Sequence, residues 1–129
     1  MKKFFTLIFC FFALSVSAME KETTFKKNLF EQAQSEGKIV IVSSWIKYCS
    51  SCASQMKVLN KAMNDGKLLD IKFENIEYFS FDVTNKEIAN LLNVKFQTTL
   101  LIYKDNTEVY RSLGETTEDL IYKALKKAI

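Results

Sequence analysis

The run Ile39-Val40-Ile41-Val42 limits the folds open to this chain more than any other stretch, because four consecutive β-branched residues leave no polar face. Such a run is the pattern of a strand buried on both sides, so the chain needs a sheet with helices above and below it. The predicted strand covers Lys38 to Trp45, and helical spacing flanks it on both sides. Phe25, Leu29, Phe30 and Ala33 predict a helix from Thr24 to Ser35, capped by Thr23 or Thr24 and stopped at Gly37. Met56, Leu59, Ala62 and Met63 predict a second helix that starts at the Cys49/Cys52 pair and ends at Asn64-Asp65-Gly66.

Further along, Lys67 to Asn75 fits either an extra helical turn or a loop, Glu77 to Val83 reads as a strand, and Asn85 to Leu92 as a short helix. Thr99 to Tyr103 and Glu108 to Leu113 are strands joined through Lys104-Asp105-Asn106-Thr107, whose Asp-Asn pair suits a hairpin turn. Gly114 ends the second of them. Thr116 or Thr117 then caps a last helix on which Leu120, Ile121, Ala124, Leu125 and Ala128 share a face, its ends charged to match the helix dipole. This order calls for an α/β fold: a mixed sheet, parallel first and antiparallel at its end, covered by helices on both faces.

The N-terminus reads as an export signal. Lys2 and Lys3 give a charged start, Phe4 to Val16 an apolar stretch, and Val16-Ser17-Ala18 a small-residue cleavage site. The stretch is shorter than the roughly 20 residues of a spanning helix, so cleavage after Ala18 is expected rather than permanent anchoring. Removing 18 of 129 residues leaves 111, enough for one domain, 19–129, with a single core. Two of the 18 basic residues leave with the signal, so 16 face 15 acidic ones. That balance implies neither nucleic acid nor an anionic surface as partner. A periplasmic or secreted monomer, off the membrane once the signal is cut, is expected.

Of three cysteines, Cys10 lies in the signal, which leaves Cys49 and Cys52 as one C-S-S-C unit. No framework of structural disulfides is possible, and the absence of histidine excludes His-based triads and His metal sites. Disulfide exchange needs one cysteine ionised near neutral pH and a second placed to resolve the mixed disulfide. Cys49 at a helix start fits the first role, since the dipole and unpaired N–H groups there bring a thiol from about 8.5 to between roughly 3.5 and 7.5. Cys52, one turn in, fits the second. A static disulfide is the plain alternative.

The segment Val42 to Cys52, with Trp45 four residues before the first cysteine and Tyr48 directly before it, resembles the active-site strand and turn of the thioredoxin family. Phe81-Asp82-Val83 resembles the family's third strand, and Val94 to Tyr103 the segment facing the disulfide. Gly114 and the last helix fall in place, so the resemblance spans Thr24 to Ile129. The approach from Phe30 to Val42 is similar to exported reductase-type members. The resemblance implies a thioredoxin-like fold and a thiol-disulfide oxidoreductase that needs no cofactor beyond a redox-active Cys49-Cys52 disulfide. Its implied partners are cysteine-containing exported proteins and a redox partner the sequence does not identify. Trp45, Tyr48, Gln97 and Thr98 are the implied substrate contacts; Ser43, Lys47, Ser50 and Ser51 the supporting residues.

Three positions depart from the family pattern. Ser43 stands where most relatives carry a buried Asp that deprotonates the resolving cysteine, and a hydroxyl is no equivalent base. Thr98 stands at the cis-proline position; a cis bond before a non-proline costs about 2.5–4 kcal/mol, so a trans Gln97–Thr98 bond is expected. Gln97 inherits the backbone pairing to substrate chains only if that loop keeps its shape. Lys57 replaces the helix proline, so the helix should be less kinked. The hydroxyls of Ser50 and Ser51 are placed to donate to a Cys49 thiolate, which would make the protein more oxidising. Lys47 is a candidate to assist ionisation. Two other classes stay open: a metal or iron–sulfur module, motivated by room beside the sulfurs where proline is missing, and a non-catalytic interaction domain, motivated by Ser43 and Thr98 together.

Overall fold

The computed structural model of the chain describes residues 22–64 and 75–128. The expected signal, Cys10 and nearly all of the ambiguous 67–75 stretch lie outside the described residues. Among the described residues, four helices and four strands follow in the expected order: α1 (Lys27–Ser35), β1 (Ile39–Trp45), α2 (Ser50–Asn64), β2 (Ile76–Asp82), α3 (Lys86–Leu92), β3 (Thr99–Lys104), β4 (Thr107–Leu113) and α4 (Glu118–Ala128). The sheet runs β2-β1-β3-β4, with β1 parallel to β2 and antiparallel to β3, and β3 antiparallel to β4.

Alternation along β1 sorts the core into two layers. Val40 and Val42 point into a cluster with Phe30 of α1, Phe79 and Phe81 of β2, and Ala89 and Leu92 of α3. Ile39 and Ile41 point the other way, against Leu59 and Ala62 of α2 and Ile121 and Leu125 of α4. Every residue of β1 is buried, as expected of a strand covered on both faces. Burying one such aliphatic side chain contributes about 1.5–3 kcal/mol, so β1 anchors both layers.

Two local expectations change. Helix α1 begins at Lys27, not at Thr24, and its N-cap Lys26 makes no side-chain cap bond. Thr23 and Thr24 instead accept from the backbone N–H groups of Asp82 (3.1 Å) and Ser80 (2.9 Å). The outer edge of β2 thus takes the hydroxyls that a helix N-terminus would otherwise use; an uncovered edge carries as many orphan donors as a helix end. Strand β2 starts one residue earlier than expected, at Ile76. The hairpin turn carries Asp105 and Asn106 at φ of 52° and 62°, the two left-handed residues its sequence suits. Of the two candidate caps of α4, Thr117 Oγ1 accepts from Leu120 N at 3.4 Å.

Candidate active site

Strand β1 delivers the chain to the site and a left-handed turn aims it. Tyr48 has φ of 62°, and directly after it Cys49 sits at the mouth of α2. Cys49 and Cys52 form a disulfide with Cα atoms 5.3 Å apart. Cys52 is fully buried and packs against Trp45 and Met56, while Cys49 is partly exposed at the rim of that cluster. An incoming sulfur therefore meets Cys49 first, and Cys52 is screened from competing thiols.

The polar groups around the two sulfurs come from two places in the sequence. From α2, the Cys52 N–H donates to Cys49 Sγ at 3.2 Å, as a helix N-terminus should, and Ser51 Oγ lies 3.2 Å from the same sulfur. From the loop before β3, Thr98 Oγ1 lies 3.2 Å from Cys52 Sγ, 3.7 Å from Cys49 Sγ and 3.1 Å from Ser51 Oγ. Ser50, by contrast, is exposed as the first residue of the helix.

Thr98 is held in a conformation that a β-branched residue seldom adopts. Its φ is 61°, a left-handed value that costs of order 1–3 kcal/mol and persists only where surroundings over-determine it. Three bonds do so: Thr98 N donates to Ser44 O (2.9 Å), and Thr98 O accepts from Gly114 N (2.9 Å) and Gln55 Nε2 (3.3 Å). Ser44 secures the same loop, its Oγ donating to Phe96 O (2.8 Å) and accepting from Thr99 N (3.0 Å). No cis peptide bond occurs among the described residues, so Gln97–Thr98 is trans, as expected. Thr98 is buried and Gln97 exposed, so of this pair Gln97 is open to an approaching peptide.

The other expected site residues divide by location. Tyr48 is 92% exposed beside the disulfide, whereas Trp45 is 8% exposed and forms the floor beneath it. Lys47 carries its ammonium 5.2 Å from the Tyr48 ring centroid, a cation–π contact on the surface. Ser43 is fully buried and its hydroxyl pairs with Tyr78 Oη at 2.7 Å. Burial pushes the Tyr78 phenol up to about 12, with the Ser43 bond acting in the opposite direction. The pair stays neutral at physiological pH and holds no base. Lys57 is exposed on an uninterrupted α2.

Sequence reasoning missed Gln55, Ser44 and Tyr78. Gln55 is fully buried, donates to Thr98 O and to Glu115 O (2.9 Å), and its Oε1 has no partner among the described residues. Its signal was present: Cys52, Gln55, Leu59 and Ala62 keep one helical stripe, and Gln55 is its polar member. Glu115 is fixed in turn by Tyr110 Oη (2.6 Å) and Ser112 Oγ (2.9 Å), both donating to its carboxylate.

A helix-start disulfide with one reachable and one buried sulfur, on a mixed sheet covered on both faces, defines a thiol-disulfide oxidoreductase of thioredoxin fold. The chain belongs to the thioredoxin family, whose "Thioredoxin" model matches residues 17–127. It is similar to a thioredoxin H-type of Fagopyrum esculentum, 25% identical over 95 residues, covering 73% of this chain and 76% of that protein. Among solved structures, Trxlp of Edwardsiella tarda matches with a TM-score of 0.70 at 25% identity, over 78% of this chain and 94% of that one. A Malassezia sympodialis thioredoxin shares the fold with a TM-score of 0.65 at 16% identity, over 80% of this chain and 88% of that one.

Proposed function

We propose that this thioredoxin acts outside the cytoplasm, exchanging disulfides with cysteine-containing exported proteins through Cys49, with Cys52 closing the cycle. The observation that carries the export reading is the N-terminal order of Lys2 and Lys3, the apolar stretch Phe4 to Val16 and the Val16-Ser17-Ala18 cleavage site. In the exchange step, the Cys49 thiolate attacks a substrate disulfide and a mixed disulfide forms. Cys52 then attacks Cys49 Sγ and releases the reduced substrate. Run in reverse, the same geometry oxidises a dithiol, and the redox partner sets the direction. Tyr48 and Gln97, both exposed at the rim, are the side chains a substrate polypeptide would meet.

A metal or iron–sulfur role rested on open room beside the sulfurs, and the Thr98 hydroxyl takes up that room at 3.2 Å and 3.7 Å. The exchange reading is therefore favoured by the site itself. Its test is a Cys52→Ser variant of the full chain expressed in a bacterial host with an export pathway, where unresolved mixed disulfides accumulate on Cys49. The expected result is a mature protein beginning at Met19, joined to partners that carry export signals of their own. A protein that keeps residues 1–18 in the cytosol and traps cytosolic partners would overturn the export reading and leave the exchange chemistry standing.

A further inference from the structure

Resolution by Cys52 poses a problem that the described residues answer in an unexpected place. Cys52 is fully buried, so its thiol must lose a proton without water at hand, and the residue nearest the base position of the family, Ser43, is tied to Tyr78. Buried thiols in apolar surroundings resist ionisation. The group that does reach Cys52 Sγ is Thr98 Oγ1 at 3.2 Å, and the next polar atom along is Ser51 Oγ at 3.1 Å, on an exposed residue.

We propose that Thr98 is a catalytic residue of the exchange reaction: its hydroxyl relays the Cys52 proton to Ser51 and solvent, and then donates to the Cys52 thiolate during attack. This rests on the oxidoreductase chemistry assigned above. Cys52 S–H gives its proton to Thr98 Oγ1 while the Thr98 proton passes to Ser51 Oγ and the Ser51 proton to water. Cys52 Sγ bonds to Cys49 Sγ as the bond between Cys49 and the substrate sulfur breaks. The substrate sulfur leaves as a thiolate and takes up one proton from solvent. Over the two half-reactions together, the substrate disulfide is reduced by two electrons and the Cys49/Cys52 dithiol is oxidised by two.

The unusual backbone of Thr98 supports the role. A proline has no hydroxyl and cannot adopt a φ of 61°, so this backbone shape and a hydroxyl beside the sulfurs come together at Thr98. Here Ser44, Gly114 and the buried Gln55 amide hold it so that Oγ1 lies between both sulfurs and Ser51. The other titratable groups near the network engage elsewhere: Glu115 through Tyr110 and Ser112, Tyr78 through Ser43, and Lys47 over Tyr48.

The test follows the two half-reactions separately with a chromogenic aromatic disulfide, which releases one coloured thiolate when Cys49 attacks and a second when Cys52 resolves. Thr98→Val removes the hydroxyl at constant shape, and Thr98→Ser keeps it. The Val variant should slow the second release by about a hundredfold near neutral pH, the low end for general acid–base catalysis, with the deficit closing as alkali ionises Cys52 directly. The Ser variant should keep the parental pH profile. A Val variant as fast as the parent, or slowed equally at every pH, would overturn the relay, the second outcome marking a purely structural role. Loss of the first release in the parent protein itself would instead overturn the exchange reading. Circular dichroism checks that each variant folds, and if Val does not, the comparison of Ser with Ala carries the same prediction.

Discussion

The two nearest donors placed to stabilise a Cys49 thiolate in the reduced protein are neighbours close in sequence. The Cys52 N–H and the Ser51 hydroxyl both lie 3.2 Å from its sulfur, and each is within three residues of it. A hydrogen bond to a charged group contributes about 1.5–3 kcal/mol, so the loss of one donor should be visible in reactivity. In the reduced protein, Ser51→Ala is expected to slow alkylation of Cys49 by iodoacetamide about tenfold at neutral pH. An unchanged rate would show that the Ser51 hydroxyl carries no part of the stabilisation. Ser43 shows the converse. The family resemblance implied a supporting part for it, but its hydroxyl pairs with Tyr78, which no local spacing reveals.

At the scale of elements, the loop between α3 and β3 presents a side chain to a helix that begins nearly fifty positions earlier. Its shape depends on Ser44 in β1, Gln55 in α2 and Gly114 after β4, so three elements converge on Thr98. Restoring the family's proline there should fail. Proline locks φ near −65° and has no N–H, whereas Thr98 has φ of 61° and donates to Ser44 O. Thr98→Pro is therefore expected to destabilise by more than about 1 kcal/mol in urea unfolding unless the loop rebuilds. A variant at least as stable as the parent would mean that the loop switches to another conformation at little cost.

At the scale of the whole molecule, three phenols among the described residues, those of Tyr78, Tyr103 and Tyr110, are raised and give the alkaline limit of stability a physical source. Burial is the main reason that Tyr78 and Tyr103 are each pushed up from 10.0 to about 12. A folded-state value above the unfolded one means that stability is complete below pH 10.0 and is lost as pH rises toward about 12. Urea midpoints should hold steady up to the lower value and fall across that window. Tyr78→Phe should flatten the fall while lowering stability at neutral pH by about 1–3 kcal/mol, because Ser43 would lose its partner. A parental midpoint that stays flat across the window would contradict the assignment.

How much of this was legible beforehand follows from the range of the forces involved. The β-branched run of β1, the helical stripes and the hairpin turn are patterns of adjacent residues, so they prescribed the element order and the two-faced sheet without reference to contacts. The Cys49/Cys52 pair at a helix start, three residues apart, was equally local. Tertiary structure alone decided which hydroxyl meets which sulfur. Thr23 and Thr24 went to the edge of β2 rather than to α1, and Ser43 went to Tyr78. Gln55 reached across to Thr98, and Thr98 came to lie against Cys52. Hydrogen bonds act over about 3 Å between groups that only the packed sheet and helices bring together, and a one-dimensional pattern holds no record of that distance.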